Sequence, residues 1–195
     1  MSIISEEDLG KIKKIKGEVI GSALKCDEEF IIEKKGREGL KKVEEEMEKL
    51  GYPLTYEEID KYKWYPIQQS IFPRLLAQRI FNWDDETIRE WGRWAAKTNF
   101  IVKLLSRLIS KQMIVKQAHK LWRKYYTVGE LDCKIDFKKR IGIATLKNFI
   151  LYPVHRHYLE GHFYQIMSFI LPSQNLKVEG SKSEEPNVHQ FKVTW

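Results

Sequence analysis

The chain has little cysteine and no long apolar run. Only Cys26 and Cys133 occur among its 195 residues. Two cysteines without a CxxC pair argue against a disulfide framework and favour reduced thiols. The apolar stretch at residues 100–109 is broken by lysine, serine and arginine, and a membrane-spanning helix needs about 20 apolar residues. The first nine residues carry acids instead of a signal-peptide core. The sequence predicts a soluble cytoplasmic protein without membrane contact.

Short catalytic motifs are also missing. No Gly-x-Ser-x-Gly elbow and no glycine-rich loop followed by Lys and Ser/Thr occurs, which removes the usual signatures of hydrolases and phosphate-binding enzymes. Cys26 precedes three acidic residues, whose charge opposes formation of a reactive thiolate. The residues therefore leave an enzymatic role undecided and favour a non-enzymatic one.

Net charge raises the question of nucleic acid. The formal charge is +7, with basic clusters at residues 11–16 and 138–140. Acids interleave along most of the chain, and no zinc-finger spacing or RNA-recognition signature is present. This pattern is typical of a solvated basic surface, so nucleic-acid binding is not expected.

Helical periodicity dominates the first two thirds of the chain. Apolar residues recur at three- and four-residue steps from Leu40 to Leu50, which predicts a helix that ends at Gly51. Trp64-Tyr65-Pro66 is interpreted as the end of a following short helix, because the residue before a proline avoids the helical region. Asp84 and Asp85 are predicted to cap a later helix.

The period changes from 3.6 to 2 after Gly129. Apolar and charged residues alternate from Leu131 to Lys138, as in a half-buried strand. Another strand, a helix from Pro153 and two further strands follow. The sequence predicts an α+β fold in a single domain, 1–195: a helical part at 1–128, packed on a four-stranded, mainly antiparallel sheet of order β-β-α-β-β at 129–195.

Aromatic residues are the most suggestive feature for function. Six tryptophans and nine phenylalanines are many large rings for this length. They either fill an ordinary core or line a pocket for an apolar small molecule. The predicted pocket wall is Trp91, Trp94, Phe100, Leu104, Trp122 and Phe149.

Three histidines near the predicted last helix form a second candidate site. His155, His157 and His162 resemble a metal-ligand set, which would make the protein a metal-dependent enzyme. On a helix, however, His155 and His157 point about 200° apart, and His155 and His162 lie about 10 Å apart along the axis. Surface or packed histidines are therefore the competing interpretation.

A third alternative is an interaction module. Gly92, Ala95 and Ala96 provide a small-residue face on a predicted helix, and such a face lets another helix approach closely. This pattern predicts a homodimeric scaffold.

The carboxy-terminal part carries a family resemblance. The motifs Asn148-Phe149, Pro153, Gly161-His162-Phe163, Val178 and Gln190 to Trp195 resemble the closing part of the 4-vinyl reductase-like domain. Gly36 to Leu40 looks like the first long helix of those proteins. Their superfamily includes heme nitric-oxide/oxygen-binding domains and TRAPP vesicle-tethering subunits. The resemblance implies helices followed by an antiparallel sheet interrupted by a helix, and small-molecule sensing or dimeric assembly.

Two departures from that superfamily shape the functional expectation. The strands from Leu176 to Trp195 contain no cysteine, although many vinyl-reductase-like domains carry cysteines there. The Tyr-x-Ser-x-Arg motif with which heme-binding relatives grip the propionates is absent. We therefore expect no cofactor, with heme disfavoured. The leading hypothesis is a non-enzymatic sensory domain for an apolar small molecule.

Overall fold

The computed structural model describes residues 3–98, 111–171, 173–183 and 185–195. Within these ranges, helices precede a four-stranded sheet that one further helix interrupts. The elements are α1 (Glu6–Lys13), β1 (Glu18–Ile20), α2 (Gly21–Lys49), a 3₁₀ turn (Tyr56–Glu58), β2 (Trp64–Pro66), α3 (Gln68–Ile80), α4 (Asp85–Thr98), α5 (Lys111–Trp122), β3 (Glu130–Asp136), β4 (Ile141–Lys147), α6 (Pro153–Ile170), β5 (Lys177–Lys182) and β6 (His189–Thr194).

The larger sheet confirms the predicted α+β fold. Its strand order is β3-β4-β6-β5, and all neighbouring strands are antiparallel. Cys133, Ala144 and Phe191 are aligned across the three adjoining strands, so they lie on the same face. Phe191 is fully buried and Ala144 nearly so. This face of the sheet packs towards the helices.

Helix α2 is longer than the sequence pattern predicts. Apolar periodicity is clear only in its second half, where Val43 and Met47 are fully buried. The first half is separated from it at Gly36, whose φ of +68° and ψ of −179° interrupt the helical conformation. Gly21 begins the first half at a close approach, since a Cβ there would lie 2.1 Å from the Asp60 carbonyl oxygen.

A small second sheet joins β1 to β2. Val19 pairs with Tyr65 in an antiparallel register and also bridges Tyr126. The interpretation of Trp64-Tyr65-Pro66 as a helix end was wrong, because these residues are a strand. Avoidance of the helical region before proline also suits an extended conformation. The small sheet ties the start of α2 to the end of α5.

Helices α4 and α6 cross at two glycines. A Cβ on Gly92 would lie 1.9 Å from the Tyr158 carbonyl oxygen, and one on Gly161 would lie 1.8 Å from the Arg89 carbonyl oxygen. The small-residue face of α4 is therefore covered by α6 of the same chain. The feature that suggested a dimer has an intramolecular role, and homodimerisation stays a prediction.

Helix α4 begins as predicted. Oδ1 of Asp84 accepts hydrogen bonds from the backbone N–H of Thr87 at 2.8 Å and from its hydroxyl at 2.7 Å. Acceptance of an orphan amide by an aspartate is the usual capping contact at a helix start.

None of the helices in the described ranges combines the length and the apolar character needed to cross a bilayer.

Candidate ligand-binding chamber

A chamber of about 780 Å³ lies between the helices and the inner face of the larger sheet. Its volume is within the range usual for small-molecule sites, roughly 300–1,000 Å³. The apolar part of its wall comes from both halves of the chain: Ile20, Ala23, Ala95, Val115, Ala118, Leu121, Trp122, Tyr126, Leu131, Ile135, Ala144, Leu159, Phe163, Ile166, Met167, Ile170 and Val193.

The sequence forms this wall through two periodicities. On α6, Leu159, Phe163, Ile166 and Ile170 recur at three- and four-residue steps and therefore share one face. All four line the chamber. On β3, residues two apart share a face, and Leu131 begins the series that lines the chamber. The chamber is thus enclosed where a helical face meets a sheet face.

A stack of rings closes one side of the chamber. Trp122 and Tyr126 are stacked, with ring centroids 4.4 Å apart, and both line the chamber. Phe149 packs edge-on against both rings. The indole N–H of Trp122 donates to the Val128 carbonyl oxygen at 2.9 Å. Packing and a hydrogen bond therefore fix the Trp122 ring without using its chamber-facing surface.

His162 is the histidine on the chamber wall. Its Nδ1 has no hydrogen-bond partner. Burial, with a smaller contribution from the positive charge of Arg74, lowers the pKa of His162 to about 4, against the opposing effect of the Gly92 backbone. The ring is therefore neutral near neutral pH. Burial raises the pKa of Cys26 to about 11 and that of Cys133 to about 12, so both chamber-lining cysteines are protonated thiols.

A buried ionic cluster lies behind this wall. Nη2 of Arg74 donates to both carboxylate oxygens of Asp27, at 3.0 and 2.9 Å, and Nη1 lies 3.0 Å from Nδ1 of His155. The guanidinium carbon is 3.6 Å from the ring centroid of Tyr158, whose side chain reaches the chamber. Burial raises the pKa of Asp27 to about 6 despite Arg74. The cluster places positive charge close to the chamber without exposing it.

A second polar cluster lies outside the chamber. Nε of Arg89 donates to Oε2 of Glu160 at 2.8 Å, and the backbone N–H of Gly180 donates to Oε1 at 3.1 Å. Nδ1 of His157 lies 3.1 Å from both Arg89 and Glu160. These contacts join α4, α6 and β5, so a structural role accounts for the cluster.

The predicted aromatic wall is divided between the chamber and the core. Trp122 lines the chamber. Trp91 is fully buried and stacks on Phe30 with centroids 5.0 Å apart, while Trp94 meets the same ring edge-on at 6.1 Å. These two tryptophans belong to a cluster between α2 and α4.

Phe149 supports the chamber from behind Trp122. Phe100 and Leu104 lie outside the described residues. The sequence prediction missed Tyr126, Cys26 and Cys133 as chamber residues. A period-2 pattern placed Cys133 on the apolar side of its strand, but no local signal distinguishes a residue at a cavity from one in a packed core.

The three histidines of the metal hypothesis have separate surroundings. His155 contacts Arg74, His157 contacts Arg89 and Glu160, and only His162 lines the chamber. Across the described ranges, no group of three or more His, Cys, Asp or Glu side chains is arranged to hold a metal ion. The helical geometry that separates these histidines explains why they do not converge.

The fold is similar to that of H-NOX proteins of known structure. An H-NOX protein from S. oneidensis in an Fe(II) ligation state aligns over 90% of this chain and 95% of its own length, with 8% identity and a TM-score of 0.66. An oxygen-binding H-NOX domain related to soluble guanylate cyclases aligns over 89% and 92%, with 12% identity and a TM-score of 0.58. A structure determined to study heme redox potential and porphyrin distortion aligns over 89% and 97%, with 13% identity and a TM-score of 0.60. No protein-family model and no curated protein sequence matches.

These matches bear on the sequence resemblance at the level of the fold. The fold is similar to that of heme nitric-oxide/oxygen-binding domains, and the matches give no support to the 4-vinyl reductase and TRAPP assignments. The expectation of no cofactor, with heme disfavoured, was wrong: the structures of similar fold include an H-NOX protein in an Fe(II) ligation state and a protein studied for its heme redox potential. That expectation rested on the absence of a short motif, whereas the pattern of apolar residues determines the fold. At 8–13% identity, other side chains can occupy the positions around a similar chamber.

Proposed function

We propose that this chain is a non-enzymatic sensory domain that binds an apolar small molecule in the chamber, with heme as the first candidate. The chamber carries the proposal, because it is large, mainly apolar and enclosed by elements from both halves of the chain. The similarity to H-NOX proteins supports heme as the occupant. A ligand held between α5, α6 and the sheet could alter their relative positions, which suits a sensor.

The side chains of the chamber suit a flat aromatic cofactor. Trp122 and Tyr126 contribute aromatic rings to the wall, and Leu159 and Phe163 of α6 line the same chamber. Iron bound in such a cofactor supplies a coordination position for a diatomic gas. The apolar wall would exclude water from that position, since it offers few hydrogen-bond partners.

His162 is the residue that would bind the iron of a heme in the chamber. Histidine, cysteinate, methionine and tyrosine are the protein ligands known for heme iron. The pKa of His162 is lowered to about 4 by burial and Arg74, so its imidazole is in the neutral form that binds metal. Cys26 and Cys133 are held as thiols by burial, which makes them weaker candidates than His162.

Titration of the purified chain with hemin tests the proposal. We expect saturation at one hemin per chain, a sharp Soret band and quenching of tryptophan emission, because Trp122 lies on the chamber wall. Ala118→Trp should abolish the change by filling the chamber. Gln117→Trp is the matched control, since Gln117 precedes Ala118 on α5 and is not part of the wall.

The outcomes are distinct. Loss of the spectral change in Ala118→Trp alone supports binding in the chamber. Equal binding by both variants would place hemin elsewhere and contradict the proposal for heme. Absence of hemin binding by the unmodified chain would remove heme as the occupant, and the same variants could then be tested with other apolar ligands.

A further inference from the structure

The charged side chains of the chamber wall all carry the same sign. Lys61, Lys124 and Lys134 line the chamber, and no aspartate or glutamate does so among the described residues. All three lysines are exposed, whereas most of the remaining wall is buried or half-buried. The three lysines therefore belong to the part of the wall that is exposed to solvent.

Backbone contacts bring two of these lysines to the start of α2. The backbone N–H of Ser22 donates to the Lys61 carbonyl oxygen at 2.9 Å. The N–H of Ile20 donates to the carbonyl oxygen of Tyr125, the residue after Lys124, at 3.0 Å. The backbone segments of the two lysines thus lie beside residues 20–22. The small sheet brings them together, although they are far apart in sequence.

Lys134 approaches the chamber from the larger sheet. It alternates with the inward-facing Cys133 and pairs with the exposed Ile143 of β4, so its side chain starts on the outer face of the sheet. Strand β3 is an edge strand, so a lysine there can reach round the edge of the sheet. Lys134 can therefore add positive charge at the sheet edge of the chamber mouth, whereas Lys61 and Lys124 belong to its helix side.

Within the described ranges, none of the three lysines forms an ion pair with a carboxylate. Lys61 lies over the ring of Tyr62, 4.9 Å from its centroid. Asp60, the nearest acid in sequence, accepts the Tyr62 backbone N–H at 2.9 Å. The charge at the mouth is thus available to a ligand.

We infer that the chamber selects ligands with an apolar body and one or more carboxylates, and that Lys61, Lys124 and Lys134 bind the carboxylate end. The inference rests on the proposed function, because it names the chemical class of the ligand in the same chamber. The apolar body would occupy the enclosed part, and the carboxylate would remain at the mouth. Burial of a carboxylate deeper in the chamber would be costly without a cationic partner. Heme, with its propionates, and long-chain fatty acids share this chemistry.

Two ligands that differ only in charge test the inference. Hemin and hemin dimethyl ester have the same ring and iron, but the ester has no free carboxylate. We expect the triple variant Lys61→Gln/Lys124→Gln/Lys134→Gln to bind hemin roughly tenfold more weakly, as for the loss of several exposed charge contacts. Its affinity for the ester should not change.

The matched control is Lys63→Gln/Lys120→Gln/Lys138→Gln. These lysines are exposed, lie close in sequence to the first set and do not line the chamber. The control should bind both ligands as the unmodified chain does. Equal losses of hemin affinity in both triple variants, or equal losses for hemin and its ester, would overturn the inference.

A comparison of a fatty acid with its methyl ester tests this inference independently of the assignment of heme. If neither hemin nor its ester binds, oleate and methyl oleate are compared by native mass spectrometry. Binding of oleate that weakens in the chamber-lysine variant would support carboxylate selection while heme is rejected. Equal binding of oleate and its methyl ester would overturn the inference.

Discussion

Arg74 and Asp27 form an ion pair that solvent does not reach. Both side chains are fully buried, and Nη2 of Arg74 contacts both carboxylate oxygens of Asp27. The pair links α2 to α3, and its guanidinium also faces Tyr158 of α6. Helices α2, α3 and α6 thus meet at one buried ionic contact, and two of them, α2 and α6, also line the chamber.

Removal of either partner should destabilise the protein strongly. Asp27→Asn leaves a buried guanidinium without a counter-charge, and we expect the free energy of unfolding to fall by about 3–5 kcal/mol. Urea denaturation followed by circular dichroism measures the change. Asp60→Asn, at an exposed acid, is the control and should cost much less.

The double variant Asp27→Leu/Arg74→Met separates charge from packing. Because it removes both buried charges, it should be more stable than either single variant. If the double variant loses as much unfolding free energy as the two single variants together, the charges of Asp27 and Arg74 do not stabilise each other.

The glycine crossing of α4 and α6 gives a second prediction. Gly161→Ala would place a Cβ 1.8 Å from the Arg89 carbonyl oxygen, so the helices must separate. We expect a loss of about 2 kcal/mol or more in unfolding free energy.

Gly10→Ala is the matched control for this crossing. Gly10 lies in α1 with nothing within 4 Å of its added Cβ. Alanine favours a helix over glycine, so this change should be neutral or stabilise by up to about 1 kcal/mol. Similar melting temperatures for the two variants would contradict the close crossing.

The predictable part of the fold is the part with a regular period. Alternation from Leu131 to Lys138 indicated β3, and the three- and four-residue steps from Leu40 to Leu50 indicated the second half of α2. The strand at Trp64–Pro66 was missed, because three residues are too few to display a period and proline is also a helix-stop signal.

The site was less predictable than the fold. The sequence points to large rings, but Trp91 packs in the core whereas Trp122 lines the chamber. The difference depends on tertiary packing, because Trp91 stacks on Phe30 of α2 whereas Trp122 stacks on Tyr126. Lys61 and Lys124 are 63 residues apart in number, and only the small sheet brings their segments together. No local pattern could have joined them.

The titration of His162 gives a third prediction. Burial and Arg74 lower its folded-state pKa to about 4, below the ordinary value of 6.5. Between these values the unfolded chain binds a proton that the folded chain does not. The contribution of the neutral His162 to the free energy of unfolding is therefore fully present above about pH 6.5 and is lost as the pH falls towards about 4.

A difference between variants isolates this effect. The stability advantage of the unmodified chain over His162→Gln should shrink by roughly 2–3 kcal/mol between about pH 7 and pH 4.5. The exposed His119 provides the control variant His119→Gln. A pH-independent difference for His162→Gln would refute the neutral, buried imidazole.

The proposed binding of heme iron by His162 gives a fourth prediction. In the hemin complex, His162→Ala should shift the Soret maximum and the electron paramagnetic resonance spectrum, because the iron loses its protein ligand. Added imidazole should restore the original spectra. Unchanged spectra in His162→Ala would assign the iron ligand to another residue, with hemin still in the chamber.

The most direct test of the account is the mass of the native chain after incubation with hemin. We predict a complex of one chain with one hemin that forms in the unmodified protein and in Gln117→Trp but not in Ala118→Trp. A complex that persists in Ala118→Trp would contradict the chamber as its site, and an unmodified chain that retains its apo mass with hemin and with fatty acids alike would contradict the chamber as a ligand site altogether.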